Sequence, residues 1–160
     1  MTNRNIILTK TIIDDLDTLF QFQLDFEANY LAAFTPKDPT DKIGYIEKYS
    51  RFLTDSTINM MTIKINNEIV GSISKFVMEG DNEITYWIDK KYWGKGIATT
   101  ALEMFLKIVS NRPLFGRVAY DNFGSQKVLE KAGFVKIGND KGFANARQKE
   151  IVEYIYKLLS

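Results

Sequence analysis

The sequence predicts an α+β domain, six or seven strands flanked by about four helices. Three observations predict it. Apolar residues recur at helical spacing up to about residue 53. From residue 61 they alternate, which is strand spacing. Beyond residue 96 single helical stretches take turns with short apolar runs. The order that results is β-αα-βββ-α-β-α-ββ.

Each element has a local reason. Ile6–Lys10 is a short apolar run and the first strand. From Ile12 to Phe34, Leu16, Leu19, Phe20, Leu24, Tyr30 and Leu31 keep helical spacing, as one long helix or two short ones. Thr35-Pro36-Lys37-Asp38-Pro39 ends it, because proline removes a donor and restricts the residue before it. Asp41–Leu53 is a second helix, with Ile43, Ile46, Tyr49 and Phe52 or Leu53 on one stripe. Met61, Ile63 and Ile65 then alternate with Thr62 and Lys64. Asn66-Asn67 is a tight turn, and Glu68–Val77 is the return strand. Gly80-Asp81-Asn82 turns the chain into a third strand, Glu83–Ile88. Gly96–Ser110 is a helix, stopped by Asn111-Arg112-Pro113. Leu114–Ala119 is a strand and Asn122–Ala132 a helix, with Gly133 at its left-handed cap. Phe134–Ile137 and Glu150–Leu158 are the last strands, and Gly138–Lys149 is the one longish loop. No repeat or linker divides the chain, so residues 1–160 read as a single domain.

Composition excludes several classes of function. The chain has 160 residues, 45% of them hydrophobic, which is the globular range. Its 21 basic and 20 acidic residues leave a formal charge of +1, without the basic excess of a nucleic-acid binder. It contains no cysteine and no histidine. A Ser-His-Asp triad, a Cys-His pair, a disulfide framework and the usual zinc sites are therefore excluded, and no metal is expected. Acid–base chemistry falls to Asp, Glu, Tyr, Ser, Lys or the backbone. The N-terminus, MTNRNIILTK, lacks a signal peptide's apolar stretch, and no run reaches the roughly 20 apolar residues of a membrane span. The expectation is a soluble cytoplasmic protein with no membrane partner.

The stretch KYWGKGIATTALEMF, residues 91–105, carries most of the functional signal. Gly94 and Gly96 stand just where a helix starts. Ile97, Ala98, Ala101, Leu102, Phe105, Leu106 and Val109 make a broad apolar stripe, so that helix packs on a sheet. Its first N–H groups have no partner within the helix and carry partial positive charge. Glycine lets the backbone adopt unusual φ and lets a ligand approach closely. Together these features form a main-chain anion site suited to a pyrophosphate. The alternative is a loop that merely turns a corner. The P-loop pattern GxxxxGK[ST] is absent. GxGxxG fails because position 99 is Thr, and a dinucleotide fold would place its glycines after the first strand.

WGKGIA at 93–98 resembles the acyl-CoA loop of the GNAT superfamily of N-acetyltransferases, [QR]-x-x-G-x-[GA]. Gly96 and Ala98 match its small positions, Gly94 matches a frequent variant, and Trp93 stands where Gln or Arg is usual. YWGKGYAT-like strings recur in the branch that includes the ribosomal-protein N-terminal acetyltransferases. NFGSQKVLEKAGF at 122–134 is similar to that branch's N-x-x-S-x-x-x-x-x-x-x-G-F signature. The element order agrees, so the resemblance covers nearly the whole chain.

The resemblance implies a mixed sheet in which strand 83–88 splays from strand 114–119 and admits the pantetheine arm of acetyl-CoA. An amine then attacks the thioester directly, with no covalent enzyme intermediate. It implies that residues 93–99 (Trp93, Gly94, Lys95, Gly96, Ile97, Ala98 and Thr99) hold the diphosphate. A main-chain N–H near Trp87 or Ile88 would face the thioester oxygen. Asn122 is expected at the pantetheine or adenosine; Lys127, Lys131 and Arg147 are candidate partners of the 3′-phosphate or else simply solvated surface charges. Glu83 opens EITYW, where the branch has an ExGYW-like string with a glutamate that often works through water; Thr85 stands where Gly is common. Glu83 is therefore the candidate base, or else a solvated strand-end carboxylate. Many members use a tyrosine as acid, and its position here is Leu129. Ser125 is the branch's alternative, and helix capping is its other role.

The acceptor is expected between residues 20–35, 53–60 and 138–149, near Phe26, Tyr30, Phe34, Tyr86 and Phe143. Asp25 and Glu27 would attract a cationic amine or simply face solvent. It is a small-molecule amine or a protein N-terminus, and a homodimer is compatible with the chain. Two other readings compete: an acyl-CoA sensor without chemistry, and a nucleotide-binding fold without specificity for CoA.

Overall fold

The structure is a computed structural model that describes residues 5–160. Its strands are β1 (Ile6–Lys10), β2 (Asn59–Ile65), β3 (Glu68–Met78), β4 (Asp81–Ile88), β5 (Leu114–Ala119), β6 (Val135–Ala144) and β7 (Lys149–Leu158). Its helices are α1 (Leu16–Phe22), α2 (Phe26–Ala32), α3 (Lys42–Leu53), α4 (Ile97–Ile108) and α5 (Phe123–Lys131), and 3₁₀ turns cover Ile13–Asp15 and Lys90–Tyr92. The strands form one sheet in the order β1-β2-β3-β4-β5-β7-β6. Only the central β4–β5 pair is parallel; the other five are antiparallel.

The helical stretch after β1 is broken, and its break has a residue-level cause. Asp25 takes an extended backbone and its carboxylate accepts the Ala28 N–H at 2.9 Å, capping a new helix. Of the two readings of Ile12–Phe34 the structure has the two short helices, α1 and α2, and the described residues hold five helices, in line with the number expected. Asn66 and Asn67 both have positive φ, 50° and 67°, the left-handed pair that a two-residue hairpin needs.

Two faces of the sheet are covered. On one, Ile97, Ala101, Leu102 and Phe105 of α4 pack with Ile63, Ile73, Ile84 and Leu114, all buried. Leu129 of α5 and Tyr156 of β7 extend this core. On the other face Leu16 and Leu19 of α1 meet Met60, Tyr45 and Tyr49.

The loop expected at 138–149 is a correction. β6 runs unbroken to Ala144, paired in register from Val135↔Lys157 to Ala144↔Lys149 with one irregularity at Lys136/Gly138. As an edge strand it leaves Val135, Ile137 and Phe143 exposed, so it shows no alternation of burial. Only the turn between Ala144 and Lys149 remains outside the strands.

Candidate active site

The parallel pairing of β4 and β5 is confined to Glu83↔Phe115 and Ile84↔Gly116. Beyond Ile84 the strands part, and β5-facing backbone along residues 85–88 is left without a strand partner. A cavity of about 580 Å³ opens there. It runs from the N-terminus of α4, past β4, to the first turn of α5, and α2 closes one side with Ala28, Leu31 and Ala32.

One end of the cavity is the glycine loop. Gly94 and Gly96 both have φ of +74°, and nothing lies within 4 Å of where a side chain would begin on either. Gly96 is the N-cap of α4 and supplies no side-chain bond to the helix. The first main-chain bond into it is Thr100 N–H to the Gly96 carbonyl at 3.1 Å. The N–H groups of Ile97, Ala98 and Thr99 therefore keep their donors for another acceptor. A cradle of this kind, open where a Cβ would intrude and lined by uncapped amides, fits a diphosphate. Trp93 turns inward instead: its indole Nε1 donates to the Ile88 carbonyl at 2.9 Å, which ties the loop to the end of β4.

The other end is the start of α5. Asn122 caps that helix by accepting the Ser125 N–H at 3.3 Å and donates to the Leu31 carbonyl of α2 at 3.4 Å. With the cap supplied by Asn122, the Ser125 hydroxyl is free for another role. It lies 2.7 Å from the Tyr86 hydroxyl. Burial pushes the Tyr86 phenol up to about 12, so it is a protonated donor at neutral pH. Sequence reading placed Tyr86 among general aromatics; its pairing with Ser125 joins residues 39 apart in the chain.

Of the expected site residues, Trp87, Ile88, Trp93, Gly94, Gly96, Ile97, Ala98, Thr99, Asn122, Ser125, Lys127 and Lys131 all line this cavity. Lys95 and Glu83 do not. Lys95 projects from the loop as an exposed residue. Glu83 shares a strand face with Thr85 and Trp87 by the two-residue alternation of β4, so it points to the face that carries α1 and α3. It is 3% exposed, too buried to be a solvated strand end. Its Oε2 accepts from Arg117 Nε at 3.3 Å, and Arg117 also bonds Glu153 at 3.2 Å. Burial pushes the carboxyls of both Glu83 and Glu153 up, against the lowering pull of Arg117.

Other candidates are occupied. Arg147 makes a bidentate pair with Asp121 at 2.8 and 2.9 Å, lies 3.9 Å from the Tyr30 ring centroid, and has a side chain only 1% exposed. It anchors α2 and is closed to a phosphate. Asp25 and Glu27 both pair with Lys90, at 3.8 and 2.9 Å. Phe26 and Phe143 are exposed, and Phe34 packs beside Ala33, Ala119 and Ala144. Leu129, at the position where the resemblance would place a tyrosine acid, is buried, its methyls against Gly116 of β5 rather than in the cavity.

Among the described residues the sheet splits at its one parallel pair, with an amide cradle at one end of the split and a hydroxyl pair at the other. The chain belongs to the GNAT acetyltransferase family: the model of its acetyltransferase domain matches residues 5–135. It is similar to the uncharacterized N-acetyltransferase p20 of Bacillus licheniformis, 26% identical over 165 residues that cover 96% of this chain and 92% of the relative. Among solved structures it shares the fold of RimL, a ribosomal L7/L12 alpha-N-protein acetyltransferase in complex with coenzyme A. That TM-score is 0.84 at 18% identity, covering 96% of this chain and 93% of the other. It also shares the fold of MccE, the microcin C7 self-immunity acetyltransferase in complex with acetyl-CoA and AMP, with a TM-score of 0.79 at 18% identity and coverage of 99% and 94%.

Proposed function

We propose that residues 1–160 act as one N-acetyltransferase domain, which passes the acetyl group of acetyl-CoA to a primary amine of a small molecule or a protein N-terminus. The observation that carries this reading is the uncapped, glycine-opened start of α4 at the head of the β4–β5 split.

Acetyl-CoA, as donor substrate, supplies an activated thioester: the amine forms the C–N bond as the C–S bond breaks. The amides of residues 97–99 take the diphosphate, and Lys127 and Lys131, on the α5 side of the cavity, face the 3′-phosphate. Asn122 holds the α5 end. The β5-facing backbone of residues 85–88, free of a strand partner and held only at the Ile88 carbonyl by Trp93, aligns the pantetheine and offers an N–H to the thioester oxygen. Glu83 receives the ammonium proton through water, since its face of β4 is opposite the donor cavity. The Tyr86–Ser125 pair returns a proton to the departing thiolate. No histidine or cysteine is required.

The test is an amine-acceptor screen that follows free thiol release from acetyl-CoA, beside calorimetry with acetyl-CoA, ATP and NAD. Thiol release with at least one amine, and tightest binding of acetyl-CoA, support the reading. Tighter binding of ATP or NAD overturns it.

A further inference from the structure

We infer that the acceptor is a compact primary amine carrying a single positive charge, whose other end is small, uncharged and hydrogen-bonding, as in an amino-acid amide or amino alcohol. The inference rests on the transferase reading above and narrows it.

A second cavity, of about 80 Å³, lies on the α1–α3 face of the sheet. Tyr86 and Trp87 of β4 line both cavities. The two cavities therefore meet the same stretch of β4, from its opposite faces, and on the transferase reading the small one is where the acceptor stands. Its floor comes from two cross-strand pairs, Ser72 opposite Trp87 and Ser74 opposite Thr85. Small hydroxyl side chains there leave room that a branched apolar residue would fill. Its wall includes Tyr45 and Tyr49 of α3, whose ring centroids are 4.4 Å apart.

Chemistry follows from that lining. It holds hydroxyls, one amide (Gln23) and aromatic rings, but no Asp, Glu, Lys or Arg. Burial pushes both tyrosine phenols up, so they stay neutral. Three carboxylates near this end of the domain are already paired, Asp25 and Glu27 with Lys90 and Glu83 with Arg117. A second ammonium, as in a polyamine, would lose its water and meet no countercharge. The indole Nε1 of Trp87 is buried and has no hydrogen-bond partner. Closed off in this way it is not offered to a ligand; the hydrogen-bonding groups of the lining include those of Gln23, Ser72, Ser74 and Thr85. The cavity is about one-seventh the size of the donor cavity (80 against 580 Å³), room for a small group; Thr85 on its floor is exposed, so a bulkier tail has to leave toward solvent.

The experiment compares serinamide, alaninamide, phenylalaninamide and spermidine as acceptors, by thiol release at saturating acetyl-CoA. In the wild type, kcat/KM for serinamide should exceed that for phenylalaninamide and for spermidine by about tenfold or more. Thr85→Ala should enlarge the cavity and raise phenylalaninamide relative to serinamide by several fold. Ser74→Asp should place a carboxylate in the floor and raise spermidine relative to serinamide. Equal or better use of spermidine or phenylalaninamide by the wild type overturns this inference alone and leaves the transferase reading intact. So does a Thr85→Ala enzyme with unchanged ratios. No thiol release with any amine overturns the transferase reading and this inference with it.

Discussion

The phenol of Tyr86, on β4, and the hydroxyl of Ser125, on α5, lie 2.7 Å apart inside the cavity at the β4–β5 split. The Tyr86 hydroxyl also reaches the Ser125 carbonyl, at 3.2 Å. Since Asn122 already caps α5, the serine hydroxyl is left to this contact, in which either oxygen can donate.

Tyr86→Phe and Ser125→Ala are each expected to lower kcat by about 10²-fold, the lower end of general acid–base effects. Acetyl-CoA affinity should stay within about twofold of wild type, because neither hydroxyl is placed at a phosphate. The double variant should be no slower than the slower single one, as for groups acting as a unit. Steady-state kinetics and calorimetry on all four proteins check this.

Gly96→Val should abolish measurable acetyl-CoA binding without unfolding the domain. The substitution puts a β-branched residue at φ +74° and fills the open space above the amides. Strain at such a position costs about 1–3 kcal/mol, a modest loss for a domain of this size. Calorimetry gives the affinity, and a thermal melt confirms the fold.

The pH dependence should carry the signature of Glu83. Its carboxyl is pushed up from 4.5 by burial, with Arg117 lowering it and Glu153 and Asp81 raising it further. A base must be ionised, so kcat/KM should rise with pH through the raised value, and Glu83→Gln should lower kcat and remove that limb. Stability should move the other way. Between 4.5 and the raised value the folded state holds the proton that the unfolded chain has lost, so stability falls as pH rises through that window. Glu83→Gln should flatten that fall, as read from denaturant melts at successive pH values.

Asp121→Asn should destabilise the fold by about 3 kcal/mol, because it strips a buried guanidinium of its partner. Arg147 holds Asp121 well below its ordinary value, mainly through their hydrogen bonds. The pair's contribution is therefore full above pH 3.8 and lost as pH falls through the lowered value. Arg147 also donates to the Tyr30 carbonyl at 2.7 Å, so acetyl-CoA affinity should weaken as α2 loosens over the cavity. Chemical denaturation and calorimetry test the two effects separately.

What was legible in the sequence depended on how local its cause was. The Gly94–Gly96 cradle could be read because glycine, strand end and amphipathic helix are contiguous in the chain. Asn122 at a helix start was legible for the same reason. β6 was not: VKIGNDKGFA carries glycines and polar turn-formers, and its strand is imposed by β7 across the hairpin. The face of Glu83 was also hidden, since it is set by sheet pairing and by Arg117, 34 residues away. The second cavity was hidden most deeply. It is assembled from α1, α3, β2, β3 and β4, and no short stretch announces it.

The indole of Trp93, bonded to the carbonyl of Ile88, locks the anchoring loop to the strand beside it. On the proposed reading, the distance from anchor to reacting carbon is then set like a yardstick. A donor cut short of its nucleotide, such as an acetylated pantetheine, would lose the anchor and with it most of its occupancy, and what did enter would slide along the groove without registering its carbonyl.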